Sequence, residues 1–211
     1  MLGGSLDAST DTDFVNAVLA DPTATSYCAL AGLGYDMVAA SKVTALKAAG
    51  MPFWVSEHEA GNYWWLPSYQ PIAPNDMAYG IETWGLIRDA ITKVGVSAYN
   101  AWHMVLNKAG TNIDFSIPWS QDSLLVTDSG QLTATPEYYV FRHFSRYVEP
   151  GAKVVGTTGG DAVAFKNPDG SLVVVLYNSG ATQTMTVSIG GQKLQFSAPA
   201  HGFATLVSPS P

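Results

Sequence analysis

The chain of 211 residues, 47% hydrophobic and 13% charged, is long enough for one large domain or for a medium and a small one. Its net charge of -7, with no cluster of Lys and Arg, argues against nucleic acid or an anionic membrane as a partner. The single cysteine, Cys28, excludes an internal disulfide and a multi-cysteine zinc site, and no apolar run reaches the roughly 18 residues that a membrane span needs.

Four segments carry the spacing of apolar residues that is typical of helices, and three apolar runs between them indicate strands. In chain order these elements are TDFVNAVLAD (12–21, helix), YCALAGLGYD (27–36, strand), MVAASKVTALKAAG (37–50, helix), PFWVSE (52–57, strand), NDMAYGIETWGLIRDAITKVG (75–95, helix), VSAYNAWHMVL (96–106, strand) and TPEYYVFRHFSRYV (135–148, helix). Pro22 is predicted to stop the first helix, and Gly50 and Gly95 are predicted to cap the second and third. Asn75 or Asp76 opens the third helix as its N-cap.

This alternation of strand and helix predicts parallel strands joined by crossover helices. MLGG at the start of the chain predicts the tail of a fourth strand. Three or four parallel strands fit part of a barrel or of a doubly wound sheet, but a closed barrel of this type needs eight. The predicted sheet therefore has open edges.

A different pattern, short strands with tight turns, follows the last helix. NPDG (167–170) and the glycine pair at 190–191 are hairpin signals, and SLVVVLYN (171–178) is apolar on both faces and so predicts a central strand. The predicted fold class is therefore α/β plus all-β. A partial β/α domain spans residues 1–148, and an antiparallel β side domain, either one layer or part of a sandwich, spans residues 149–211.

The stretch MPFWVSEHEAGNYWW places a carboxylate, Glu57, where the strand 52–57 ends, with aromatic residues directly after it. Sites in parallel α/β proteins lie at the carboxyl ends of the strands. Aromatic faces stack on sugar rings, and a carboxylate can act as nucleophile or general acid, so this pattern predicts a carbohydrate site. The predicted substrate-binding residues follow three successive strands: Tyr35, Tyr63, Trp64, Tyr99, Asn100, Trp102 and His103.

These candidates also have structural interpretations. A glutamate at a strand end can simply be solvated, Trp64 can cover a helix end, and His103 can be a hydrogen-bonded core histidine. Glu59 could act with Glu57 across about 6.6–6.8 Å if the strand continued, but we favour a loop position for it. Two histidines, His58 and His103, on different strands and without a third ligand do not make a metal site, and no cofactor is predicted.

Four motifs in this order, FWVSEHEAGNYWW, AYNAWHMVLNKAG, TPEYYVFRHFSRYVEPGAK and AFKNPDGSLVVVLYNSG, resemble glycoside hydrolase family 30. That family includes glucosylceramidase-like enzymes, β-1,6-glucanases, β-1,6-galactanases and xylanases, and the resemblance extends from about Leu30 to Val207. It implies a (β/α)8 barrel with a side β-sandwich, and hydrolysis of β-glycosides with retention. The chain would then hold the C-terminal half of the barrel, about strands five to eight, and the sandwich-type domain.

The resemblance also implies roles for three residues. Glu57 matches the nucleophile of the seventh strand, Trp102 matches the eighth-strand tryptophan of the sugar subsite, and Tyr35 matches the sixth-strand tyrosine beside the nucleophile. Two departures stand out. Leu33 occupies a position where the family often has histidine, and the Asn-Glu-Pro motif that carries the family's general acid/base does not occur in the chain.

Retaining hydrolysis needs a second carboxyl group, and three interpretations of its absence stay open. A missing N-terminal half-barrel supplies it, a second copy of the chain pairs with the first, or the chain is a non-catalytic carbohydrate-binding or structural half-barrel. The predicted partner is a β-linked oligosaccharide, polysaccharide or glycoside. The parent enzyme is expected to be secreted, although MLGGSLDAST has neither the basic start nor the apolar core of a signal peptide.

Overall fold

The computed structural model describes residues 1–58, 60, 76–111, 123–189 and 191–209, and for Tyr35 and His58 it describes the backbone only. The chain forms two compact units, Met1–Thr135 and Pro136–Pro211. The division predicted from the sequence lies later, between residues 148 and 149. The difference is helix Pro136–Ser145, which groups with the strands that follow it because it packs against the last of them.

A parallel sheet forms the centre of the first unit. Its strands are β1 (Leu2–Leu6), β2 (Ala31–Leu33), β3 (Phe53–His58) and β4 (Ala98–Ala101), and they lie side by side in chain order. All three neighbouring pairs are parallel, so each connection must return across the sheet before the next strand begins. The strand predicted from MLGG is thus confirmed as β1, and the predicted strands at 52–57 and 96–106 contribute β3 and β4.

The connections between these strands carry the helices. Helices α1 (Thr12–Ala20) and α2 (Pro22–Ser26) precede β2, α3 (Thr44–Ala48) precedes β3, and α4 (Met77–Asp89) precedes β4. Alternate strand residues and residues of these connections form one apolar core. Its buried members include Leu33, Val43, Leu46, Phe53 and Val55, of which Leu33, Val43 and Leu46 have no exposed surface.

The ends of the helices agree with the sequence predictions better than the lengths of the helices do. The Asp76 carboxylate accepts a hydrogen bond of 2.9 Å from the N–H of Ala78, which confirms one of the two predicted N-caps. After α4 the backbone continues in a π-helical turn, Ala90–Val94, and ends at Gly95 with φ +86°, the left-handed geometry of a glycine C-cap.

Two of the predicted elements are much shorter in the structure. The predicted helix 37–50 is reduced to α3, because the chain leaves β2 through a 3₁₀ turn, Tyr35–Met37, and Val43 becomes the residue before the helix. The predicted strand 27–36 is reduced to β2, since the preceding residues belong to turns. Pro22 ends α1 as predicted, but it also occupies the first position of α2.

The predicted strand 96–106 is divided between two sheets. Its second part is β5 (Val105–Asn107), which pairs in parallel with β6 (Leu125–Asp128), and β6 pairs antiparallel with β7 (Gln131–Ala134). The hairpin β6–β7 was not predicted. The sequence does contain a turn signal here, the pair Ser129-Gly130. In the structure both residues have positive φ, as in the tight turns that Gly favours.

The second unit contains helix α5 (Pro136–Ser145) and a β-sandwich. The larger layer has the order β13-β10-β9-β8, formed by β8 (Lys153–Val155), β9 (Asp161–Lys166), β10 (Leu172–Tyr177) and β13 (Phe203–Ser208). The smaller layer is the hairpin β11 (Gln183–Ile189) and β12 (Gln192–Ala198). Side chains from both layers, among them Val174, Leu176 and Ile189, form its core. Both predicted hairpins and the central position of β10 are confirmed.

No helix within the described ranges is both long enough and apolar enough to cross a bilayer.

Candidate functional site

The carboxyl end of β3 brings Glu57 to the rim of the parallel sheet. Val55 pairs with Tyr99 and His58 pairs with Ala101, so two residues of β3, Ser56 and Glu57, lie opposite a single residue of β4. This is a β-bulge, which interrupts the alternation of side chains and redirects the residues within it. Glu57 is therefore half-buried at the rim, although simple alternation from Val55 would turn it toward the core.

Ser5 of β1 contacts the Glu57 carboxylate. Its Oγ donates a hydrogen bond of 3.2 Å to Oε2 of Glu57, across the end of β2. The sequence did not reveal this residue, because the predicted strand ended at Gly4 and nothing local relates positions 5 and 57. The register of three successive parallel strands brings the two together.

Two further side-chain hydrogen bonds hold the backbone around the bulge. The amide Nδ2 of Asn100 donates to the carbonyl of Val55 at 3.0 Å, and the hydroxyl of Ser56 donates to the carbonyl of Leu33 at 2.9 Å. Asn100 is thus exposed at the rim, as a substrate-binding residue would be, but its amide also joins β4 to β3. These bonds tie the ends of β2 and β4 to β3, the strand that carries Glu57.

The remaining described candidates have different environments. Tyr99 is half-buried and packs against the apolar core, on the same face as its pairing partner Val55, which favours a structural role for its ring. Trp102 and His103 follow β4 with ring centroids 3.9 Å apart, and the peptide bond between them is cis. His103 is buried, and its carbonyl accepts the N–H of Leu124 at 3.0 Å, which connects this segment to the start of β6.

Several predicted residues lie outside the described residues. These are Tyr63, Trp64 and Glu59, together with the side chain of Tyr35, whose backbone begins the 3₁₀ turn after β2. Their predicted substrate-binding or supporting roles stay predictions. The loop next to Tyr35 is ordered by Asp36, whose carboxylate accepts the N–H of Ala8 at 2.8 Å.

Acidic groups close to this rim are engaged in turns. The hydroxyl and the backbone N–H of Ser9 donate to Asp7 and hold the pKa of that carboxyl below its ordinary value. Nowhere in the described ranges do three or more His, Cys, Asp or Glu side chains gather in a group that could bind a metal ion. Among the described residues, the rim presents the Glu57 carboxylate with the hydroxyl of Ser5 bonded to it and the amide of Asn100 on the neighbouring strand.

The β-sandwich of the second unit is similar in sequence to a domain of glycoside hydrolases. The sequence profile of the glycosyl hydrolase family 30 beta sandwich domain matches residues 151–206. Residues 151–206 are thus similar to the β-sandwich domain of glycoside hydrolase family 30 proteins.

Three similar proteins illustrate the relationship. The endo-1,6-beta-D-glucanase neg1 of Aspergillus fumigatus is 34% identical over 98 residues, which cover 41% of this chain and 20% of that protein. The crystal structure of SrfJ from Salmonella typhimurium superposes with a TM-score of 0.71 at 21% identity, over 97% of this chain and 46% of SrfJ. The endo-beta1,6-glucanase BT3312 gives a TM-score of 0.67 at 18% identity, over 95% of this chain and 45% of its own. The chain spans less than half the length of each of these proteins.

Proposed function

We propose that the chain carries the nucleophile half of a retaining β-glycoside hydrolase, with Glu57 as the nucleophile. The observation that carries the proposal is the position of Glu57 at the carboxyl end of β3, redirected by a bulge and bonded to Ser5. It is supported by the match of residues 151–206 to the family 30 β-sandwich domain. The parallel unit, residues 1–135 of the chain, would be part of a (β/α)8 barrel.

In this mechanism an oxygen of Glu57 attacks the anomeric carbon of the sugar while the bond from that carbon to the leaving-group oxygen breaks. A second carboxyl group protonates the leaving oxygen, then removes a proton from the water that releases the sugar from Glu57. Retaining enzymes hold the two carboxyl groups about 5 Å apart. The sequence has no Asn-Glu-Pro motif, so we propose that a segment outside these 211 residues supplies the second group.

The aromatic residues around Glu57 would form the sugar subsite. Trp102 follows β4 and Tyr35 follows β2, so an aromatic residue follows each of the two strands beside β3. Tyr63 and Trp64 follow Glu57 in the chain and would complete the platform. The ring faces would stack on the sugar and so orient its anomeric carbon toward the carboxylate.

A β-linked glucan is the substrate class that we favour, because two of the similar proteins are named as β-1,6-glucanases. Such polysaccharides are met outside the cell, and we assign the parent enzyme to the extracellular space. A composition with only 13% charged residues, whose polar residues are mainly Ser, Thr, Asn and Gly, is common in secreted enzymes.

The test uses 2,4-dinitrophenyl 2-deoxy-2-fluoro-β-D-glucoside, whose leaving group departs as an anion and needs no general acid. We expect mass spectrometry to find one fluoroglucosyl group per chain, attached to the peptide that contains Glu57. Glu57→Gln should abolish labelling. Glu149→Gln, an exposed glutamate of the second unit, is the matched control and should label like wild type. Labelling of another residue, or equal labelling of Glu57→Gln, would contradict the assignment.

A second candidate is a non-catalytic carbohydrate-binding half-barrel, alone or as a pair. The lack of the acid/base motif favours it, and so do β1 and β4, the two edge strands of the parallel sheet within the described residues. Binding of a β-glucan without any labelling of Glu57 would support this candidate. Sedimentation equilibrium tests pairing, because a species of 22.4 kDa at all concentrations excludes a dimer.

A further inference from the structure

Ser5 and Glu57 form a contact that no local sequence pattern connects. The two residues are 52 positions apart, on the first and third strands of the sheet, and the bond passes over the end of β2. Both strands contain irregular pairing where these residues lie: the register of β1 shifts between Leu2 and Leu6, and that of β3 shifts between Val55 and His58. Two bulged strands thus turn a hydroxyl and a carboxylate toward each other.

Gly34, directly after β2, lies beneath this contact. A Cβ atom at Gly34 would stand 2.8 Å from the Oγ of Ser5 and 2.9 Å from the carbonyl oxygen of Leu6, closer than real Cβ atoms approach other atoms. The N–H of Gly34 also donates to that Leu6 carbonyl at 2.8 Å, so the backbone cannot move away without losing a bond between β1 and β2. The glycine is required here by space, since any side chain would displace the Ser5 hydroxyl.

We propose that Ser5 is a positioning residue for Glu57 and that Gly34 keeps the space for its hydroxyl. The inference rests on the proposed role of Glu57 as nucleophile. A half-buried glutamate side chain can adopt several rotamers, and the hydrogen bond from Ser5 to Oε2 favours the one in which this bond forms. The other carboxylate oxygen then has a fixed direction from which its lone pair can attack. The hydroxyl is uncharged, so it orients the carboxylate without forming an ion pair that would hold it back from the sugar.

Ser5 could instead only tie the ends of two strands together, and the kinetics of labelling separate these roles. The dinitrophenyl fluoroglucoside gives an apparent binding constant and a maximal labelling rate, at which Glu57 bonds to the anomeric carbon and dinitrophenolate leaves with the electron pair. A positioning residue acts on the maximal rate, whereas a strand tie acts on thermal stability. The variants are Ser5→Ala, which removes the donor, Ser5→Thr, which keeps it, and Gly34→Ala, which displaces it.

For Ser5→Ala we expect a maximal labelling rate roughly tenfold lower, the size of one hydrogen bond to a charged group, with an unchanged binding constant and melting temperature. Ser5→Thr should restore most of the rate, and Gly34→Ala should lower it as Ser5→Ala does. In the Ser5→Ala background, Gly34→Ala should add little to the labelling defect. Labelling of Ser5→Ala at the wild-type rate would overturn the inference and leave the proposed function intact.

The ¹³C NMR resonance of the Glu57 carboxyl carbon gives a readout that needs no sugar. Ser5→Ala should shift this resonance in the full chain, and Ser5→Thr should leave it close to its wild-type position. A shift in a protein that the fluoroglucoside does not label would keep the contact and reject Glu57 as nucleophile. An unmoved resonance in Ser5→Ala would reject the contact itself.

Discussion

Asn178, directly after β10, is predicted to be the polar residue on which the β-sandwich depends most. Asn178 is 2% exposed, and its side-chain amide makes five hydrogen bonds to residues around the start of β11 and the end of β12. Nδ2 donates to the carbonyl oxygens of Ala181 at 3.0 Å, Ala198 at 3.3 Å and Pro199 at 2.8 Å. Oδ1 accepts from the backbone N–H of Gly180 at 3.2 Å and from Nε2 of Gln183 at 2.6 Å.

Asn178→Ala leaves these groups without their partner. The two hydrogens of Nδ2 and the two acceptor positions of Oδ1 amount to about four hydrogen bonds, each with a net value of about 1 kcal/mol. Because Gly180 and Gln183 are exposed and can turn to water, we expect the free energy of unfolding to fall by about 2–3 kcal/mol. For a unit of this size such a loss lowers the melting temperature by roughly 10–20 °C.

The assay must report on the second unit alone. All six tryptophans precede Thr135, so their fluorescence follows the first unit, and hydrogen exchange of peptides from residues 170–205 follows the sandwich. Gln183→Ala removes one of the five bonds and is the matched control, with an expected loss below about 1 kcal/mol. Exchange in Asn178→Ala within about 1 kcal/mol of wild type, or a loss equal to that of Gln183→Ala, would refute the reasoning.

Two further predictions concern the parallel sheet and the pH dependence of the second unit. Gly32→Ala places a Cβ atom 2.6 Å from the Gly4 carbonyl oxygen, so unfolding followed by tryptophan fluorescence should show the first unit destabilised by about 1–3 kcal/mol. The control is Gly85→Ala in α4, where a Cβ atom meets open space and should stabilise the unit slightly. Equal effects of the two substitutions would contradict the steric reason. Burial, and to a lesser extent the neighbouring charge of Arg142, lowers the pKa of His143, so the folded state favours its neutral form. The contribution of His143 to the stability of the second unit is therefore fully present above the unfolded pKa near 6.5, and it is lost as the pH falls toward the lower folded pKa. His143→Gln should reduce the loss of exchange protection between pH 7.5 and 5, and an unchanged loss would assign it to other groups.

Features whose stabilising interactions lie within a few residues of each other could be predicted from the sequence. The turn at 167–170 closes with a hydrogen bond from Gly170 to Asn167, and five successive buried residues place β10 in the middle of its sheet. Asp76 and Gly95 mark the ends of a helix through contacts with their immediate neighbours. The position of Glu57 at a strand end likewise follows from the apolar run before it and the polar residues after it.

Features that depend on pairing between strands far apart in the sequence were decided only by the tertiary structure. The segment 96–106 belongs to two sheets because β5 finds its partner in β6, twenty residues further on, and local alternation carries no information about that partner. Tyr99 belongs to the core because its register with Val55 sets its face, and the bulge after Val55 turns Glu57 to the rim. Ser5 reaches Glu57 only when β1, β2 and β3 align with glycine at position 34 between them, a spatial condition that no stretch of sequence contains.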